Sequence, residues 1–444
     1  MLLEKNPFLG GSTAWSVGSV TASQTPHQRR AGIVDRPEWH CEDMPLFPQG
    51  EDDRDNKELR RILCDELPNT FAWLLSLGIR FFGPVAEPPH RVPRMHTVLP
   101  NSGSYIHHLH KRARRLGVDI RLSAPVASLL FQDGIVRGVC YRTETGEHQM
   151  LSGAVVLAAG DFTNDPIFKQ RFMGSWAASV PGINKTATGD GQRLAEQVGG
   201  IIVNGELALG PELRFQAPLR RHWAARLPPW TIVGDFLEWS MRYLPGPILR
   251  PVLMKFLTTA LAPSKNLFAE GALLVDRSGR ALDVDNAEST EGFIILDANV
   301  CRKFDRWPNY ISTAPGIAYA YLEDYKRNRK DICRVAESVQ ALASAIGTDA
   351  ALLRDAIFSR RPNAVGPYCA LGPVESVFVH SEGGLSVDAS HRVLGKGLRP
   401  IEGLYASGST GQGGLLLRGH GHHLAWAFVS GRRAGRNAAR AARP

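Results

Sequence analysis

The spacing of apolar positions predicts an alternation of strands and helices in both the first and last parts of the chain. Leu2-Leu3 reads as the end of an apolar strand that finishes in Glu4-Lys5, and a loop rich in Gly, Ser and Thr follows, with Gly10, Gly11, Ser12, Thr13 and Gly18. Leu59, Ile62, Leu63, Leu67, Phe71, Leu74 and Leu75 recur at steps of one helical turn, which predicts a helix over 56–77 stopped by Gly78. A second helix is expected over 104–116, stopped by Gly117. Residues 118–122 alternate, and the runs 126–131 and 135–141 flank Gln132-Asp133-Gly134, a hairpin signal. Residues 154–160 form an unbroken apolar run ending in small residues, the pattern of a parallel strand covered on both faces. Thr188-Gly189-Asp190-Gly191 opens a helix over 192–198. Strands are expected at 385–388 and 403–408, and a last helix over 424–442.

Between residues 206 and 365 the pattern changes. Gly thins out, and Pro, Trp and Arg increase, which predicts an insertion in a frame made of 1–205 and 366–444. The segment 243–264 is apolar but broken by Pro245, Pro247, Arg250, Pro251 and Lys255, so it reads as a packed helical hairpin or an amphipathic surface element rather than a membrane span. Gly accounts for 44 of 444 residues, against a usual share of about 7%. The clusters mark backbone that turns tightly or approaches a ligand. The formal net charge is +9, which favours anionic partners. The basic runs, at 110–115 and at Arg432, Arg433, Arg436 and Arg440, read as solvated helix faces, and no nucleic-acid partner is expected. No two of the six cysteines are spaced C-x-x-C, and Glu4-Lys5 interrupts any secretory leader. A cytoplasmic protein without disulfides or a transmembrane segment is expected.

Several positions carry chemistry. Glu4 stands where an acidic residue at a strand end accepts hydrogen bonds from a ribose diol. Ala158-Ala159-Gly160 and Ala406-Ser407-Gly408 end strands in residues small enough for a flat cofactor to lie on the backbone. Asp190 adds a carboxylate at a helix start. The loop 411–423 brings Arg418, suited to a two-pronged grip on a carboxylate, beside His420, His422 and His423. No carboxylate or thiolate cluster accompanies these histidines or His107, His108 and His110, so no metal site is expected.

Taken in order, Leu3-Glu4-Lys5 with Gly10-Gly11-Ser12-Thr13, Val155–Phe162, Thr188–Gly191, His380-Ser381-Glu382-Gly383-Gly384, Gly403–Gly408 and Ser430–Gly435 resemble the FAD-dependent fumarate reductase and succinate dehydrogenase flavoprotein superfamily, which includes 3-ketosteroid 1-dehydrogenases. The resemblance covers nearly the whole chain. It implies an α/β fold in which a Rossmann-like FAD-binding domain of the glutathione-reductase type, 1–205 and 366–444, is interrupted by an α+β capping domain, 206–365. The active site would lie at their junction. Glu4 would hold the adenosine ribose and Val126 the adenine side. Gly10, Gly11, Ser12, Thr13, Gly18, Ala159, Gly160 and Gly408 would line the cofactor, with Asp190 beside the flavin and Leu424 capping its ring. The loop Ala14-Trp15-Ser16-Val17 lacks the His of members with covalent flavin, so FAD is expected to be non-covalent.

His380 matches the His of the family's His-Thr-Met-Gly-Gly motif, Arg418 its carboxylate-binding Arg, and Gly421 a backbone contact to substrate. These residues imply hydride transfer between flavin N5 and a C–C bond next to a carboxylate or carbonyl. The substrate would be a small carboxylate or enone. The family's proton-donating Arg follows a stretch matched here by 275–282, and Ser289 falls at its place; Arg214 is the substitute donor. Fumarate itself is therefore not expected. The last loop also lacks the Tyr of the steroid dehydrogenases. Without a Cys-x-x-Cys-His or an iron–sulfur cysteine set, electrons must come from or go to a separate partner. No Gly-x-Gly-x-x-Gly precedes the Leu-Glu-Lys strand, so an open slot in the sheet and a weakened phosphate contact are expected. Two alternatives follow: a truncated, inactive FAD-binding fragment, and a 3-ketosteroid 1-dehydrogenase-like enzyme.

Overall fold

The computed structural model describes residues 1–47, 52–218, 226–260, 262–283, 291–314 and 318–442. One core is built by the helix Lys57–Ser76 and the last helix, His422–Ala441. The predicted stripe is buried: Leu59, Leu63, Leu67, Phe71 and Leu74 are all at most 1% exposed. Asn56 caps this helix by accepting a hydrogen bond from Leu59 N. Trp426, Val429, Ala434 and Ala438 bury the matching face of the last helix. The last helix also packs against a sheet. Val126–Gln132 and Ile135–Thr143 form the expected hairpin. Gly146–Leu151 extends it as a mostly exposed edge strand, whose polar sequence gave no apolar signal. Pro400–Ala406 runs parallel to Ile135–Thr143 on one side and to Val155–Leu157 on the other.

The run 154–160 departs from expectation. Only Val155–Leu157 is regular strand, and Val155 and Val156 are half-buried. The reason is its pairing: among the described strands it bonds to Pro400–Ala406 alone. Leu2–Leu3 pairs in parallel with Ile120–Arg121 in a separate sheet, and no described strand joins the two pairs. The Gly-rich loop after Lys5 also contains a short helix, Gly11–Trp15. The strand expected at 385–388 shrinks to Gly384–Leu385.

A second sheet is antiparallel, in the order Glu212–Phe215, Tyr368–Val377, Glu291–Leu296, Leu273–Asp276, with Cys333–Ala336 also paired to Tyr368–Val377. Side chains alternate between its faces. Leu274, Ile294, Leu296 and Leu371 pack into one cluster with Phe304 and Tyr325. Leu273, Val275, Ile295 and Ala370 pack into another with Leu342 and Leu353. Tyr368–Val377, expected in the flanking frame, is the strand that holds three others of this sheet. A shift in composition does not register strand pairing, so the expected boundary at 365 falls before it.

The chain passes between the two units through a ribbon. Ala208–Leu209 pairs antiparallel with His380–Ser381, and Ile202–Val203 with Gly384–Leu385. The apolar segment near 243 is indeed two helices, Thr231–Tyr243 and Gly246–Ala260, but it is not a closed hairpin. Ile232, Phe236, Trp239 and Tyr243 leave one face of the first helix more than half exposed. No described helix is long and apolar enough to cross a membrane.

Candidate active site

Two groups of predicted residues are each brought together. The first gathers residues 4–12 and 184–190. Lys5 Nζ donates to Asp190 Oδ2 at 2.6 Å and to Thr188 Oγ1 at 2.6 Å. Asn184 Nδ2 donates to Ser12 Oγ at 2.8 Å. The Glu4 carboxylate accepts from Asn6 N and Nδ2 at 2.8 and 3.0 Å, and its backbone carbonyl accepts from Ala124 N, which places Val126 nearby in the chain. Thr13 lies in the short helix after Gly10 and Gly11, and the Gly18 carbonyl accepts from Tyr105 Oη at 2.8 Å.

The end of Val155–Leu157 opens into a ledge. Ala158 and Ala159 are exposed, and Gly160 turns at φ +84° with nothing within 4 Å of the place a Cβ would occupy. Its carbonyl accepts from Thr410 Oγ1 at 2.8 Å and Gln192 Nε2 at 3.0 Å. Across the sheet, Gly408 N donates to Ser430 Oγ at 2.9 Å, and Leu424 is half-buried in the first turn of the last helix. A ledge of small residues with open space above it, with acceptors at Glu4 and Asp190, fits the ribose and ring portions of FAD.

The second group surrounds Glu382, which is fully buried. His380 reaches it from the connecting ribbon, Arg418 from the loop before the last helix, and His423 from that helix's first turn. Glu382 Oε2 accepts from Leu417 N at 3.2 Å and from Gln412 Nε2. Glu382 Oε1 has no hydrogen-bond partner among the described residues. It lies 3.6 Å from His380 Nε2, 3.6 Å from His423 Nε2 and 3.7 Å from Arg418 Nε. Burial pushes the Glu382 carboxyl up, but His380 and His423 outweigh it and hold it well below the usual carboxylate range. Burial, and then the neighbouring His423, lower His380. The centre therefore holds an ionised carboxylate beside a neutral imidazole and a guanidinium.

Arg214 donates to Glu212 Oε1 at 2.7 Å on its own strand, and its charge reaches His420. His420 is exposed; its ring bonds Glu87, which raises its pKa above the ordinary value. Gly421 is held at φ +88° with a Cβ position 2.7 Å from Thr21 N, so only glycine fits. Ser289 lies outside the described residues.

Glu382 and Gln412 were not singled out by sequence, and His423 was named only as a histidine without a metal role. The available signal was Glu382 itself, a charged residue at the Met position of an otherwise matched motif. The expectation that no carboxylate accompanies the histidines is corrected, because Glu382 sits between His380 and His423. Their ligand atoms lie within 4.8 Å of one another, as do those of His40, His90 and His422. In the latter trio two of the three lone pairs are already used, and His40 Nδ1 has no hydrogen-bond partner among the described residues. His422 Nδ1 donates to Arg418 O at 2.5 Å, leaving its Nε2 to accept from His40 Nε2 at 3.2 Å. His90 Nδ1 accepts from Arg94 Nη1 at 2.9 Å. That arrangement is a hydrogen-bonded core rather than a metal cage.

Residues 1–218 match the family model described as FAD binding domain. A probable fumarate reductase of Shewanella frigidimarina is 29% identical over 211 residues, covering 46% of this chain and 35% of that protein. An NADH:fumarate oxidoreductase of Klebsiella pneumoniae is 22% identical and covers all of this chain but 45% of its own length. The chain thus spans less than half the length of these two relatives. Among solved structures, the open conformation of a flavocytochrome c3 fumarate reductase superposes with a TM-score of 0.74 at 21% identity, over 100% of this chain and 74% of that one. The FAD-binding match over residues 1–218, the sequence relatives and the shared fold agree: the chain is similar to the FAD-dependent fumarate reductase and succinate dehydrogenase flavoproteins.

Proposed function

We propose that the chain is an oxidoreductase for a C–C bond next to a carbonyl or carboxylate, acting on a substrate other than fumarate. FAD, bound non-covalently, supplies the hydride chemistry at N5. Arg418 and His380 hold the substrate oxygen. The guanidinium and the imidazole N–H stabilise negative charge that develops there as the adjacent carbons react, in a pocket where such donors act strongly. Gly421 adds a backbone contact, and Arg214 holds the proton for the second carbon. The inserted unit serves as the cap, and a separate partner exchanges electrons. All six cysteines are free thiols, which fits a reducing cytoplasm.

The carrying observation is the convergence of His380 and Arg418 on one buried point, 3.6 and 3.7 Å from Glu382 Oε1. The test is Arg418→Ala. It should purify yellow and lose turnover by roughly 100-fold or more; retained turnover refutes the role.

The exposed apolar face of Thr231–Tyr243 favours a second reading, a ketosteroid-type dehydrogenase with an apolar substrate. A screen of enoates against ketosteroids separates the two. Purification without flavin, and no uptake of added FAD, would refute the oxidoreductase reading.

A further inference from the structure

The oxygen-binding centre contains its own carboxylate. Glu382 Oε1 lies within 3.7 Å of His380, His423 and Arg418, without a hydrogen bond to a described residue. Its other oxygen is fixed by Leu417 N, so the side chain cannot swing away without breaking that bond. Glu382 is also fully buried, and its charge is screened little by solvent. A substrate carboxylate brought to His380 and Arg418 would meet a second negative charge at close range. Two like charges so placed oppose each other strongly at low dielectric. A neutral carbonyl oxygen meets no such opposition and can still accept hydrogen bonds from the same donors.

We propose that Glu382 is a built-in counter-ion that sets the substrate class: the site takes a neutral conjugated carbonyl compound and rejects its carboxylate analogue. This rests on the oxidoreductase reading above and narrows it. The reaction balances as a two-electron reduction. Reduced flavin gives hydride to the β-carbon, the C=C π bond breaks, and the α-carbon takes a proton, leaving oxidised flavin and a saturated carbonyl compound.

The experiment uses the flavin-loaded protein, reduced anaerobically, with two pairs of probes that differ only in charge: methyl cinnamate against cinnamate, and methyl crotonate against crotonate. Recovery of oxidised-flavin absorbance reads the reaction, and thermal shift of the oxidised protein reads binding. The wild type should favour each ester by roughly 100-fold. Glu382→Gln, which keeps the shape, and Glu382→Met should both shift the preference toward the acid. An acid preference in the wild type, or ratios unchanged in whichever variant folds, overturns the proposal. A stoichiometric metal lost in Glu382→Gln overturns it too, since Glu382 would then be a ligand. If no probe reoxidises the flavin, the oxidoreductase reading fails for these compounds. The charge rule is then decided by thermal shift alone: stabilisation by esters and not acids in the wild type upholds it, and any other pattern overturns it.

Discussion

His422 and His423 are neighbours in the chain, yet they enter two clusters of opposite character. His422 turns into the core with His40 and His90, held by hydrogen bonds to His40 and the Arg418 carbonyl and by the Phe47 ring, while Arg94 donates to His90. His423 turns toward His380, with ring centroids 3.6 Å apart, and toward the Glu382 carboxylate. The first cluster is closed, because its Arg94 is wholly buried and already paired with Asp35 and Asp43. The second stays partly open, with His380, Arg418 and His423 each about one-fifth exposed. Identical side chains thus serve a core in one place and a site in the other. What separates them is whether solvent or a ligand can reach the polar atoms.

That contrast can be broken experimentally, beginning with the largest effect. Arg94→Met would leave Asp35 buried without its cation and Asp43 with Arg91 alone, and should cost about 3–5 kcal/mol in chemical denaturation. An unchanged midpoint would deny the closed cluster its structural role. Next comes acid. His90 is lowered to about 2, by burial and then by His422, and His40 and His422 are also lowered, with burial the main cause. Above their ordinary value of 6.5 both folded and unfolded states are neutral, and these groups contribute nothing to pH dependence. Below it the unfolded chain takes protons that the fold refuses, so stability falls by about 1.4 kcal/mol per pH unit for each group. Glu382 behaves oppositely. Its folded pKa is depressed, so its contribution is present above the ordinary carboxylate value and is lost only as pH falls through the folded one. Unfolding measured from pH 6.5 to 5 should therefore report the histidines, and His90→Gln should remove about one proton from that slope. An identical slope in the variant would contradict the burial assigned here.

The smaller effects separate the two neighbours. His422→Ala should destabilise by about 2 kcal/mol, whereas His423→Ala should cost less than about 1 kcal/mol and mainly weaken ligand binding. Equal losses of stability would erase the distinction. Gly421→Ala should cost about 1–2 kcal/mol through its left-handed backbone and its contact with Thr21, read as a lower Tm.

Much of the frame was legible because one-face periodicity is a local signal. The helix Lys57–Ser76 and the hairpin from Val126 to Thr143 came directly from spacing and turn residues. His380 and Arg418 came from motifs. Their meeting with Glu382 was not readable, since it depends on the ribbon and the last helix arriving at one point from distant stretches of chain. Nor could the divergence of His422 from His423 be read, because neighbours on a helix point about 100° apart and only packing says what each will meet. The strand Tyr368–Val377 escaped for a similar reason: pairing with Glu291–Leu296 and Glu212–Phe215 is a property of the sheet.

The ribbon between the two units has a mechanical meaning. His380 stands in register with Leu209, on one of the two strands that run between the two sheets. Both crossings are hydrogen-bonded to each other, so the joint can twist but cannot slide one strand past the other without breaking those bonds. Leu417 and Gln412 meanwhile anchor Glu382 to the loop before the last helix. The imidazole is thus positioned through the ribbon and the carboxylate through that loop, so the gap between them depends on both anchors at once.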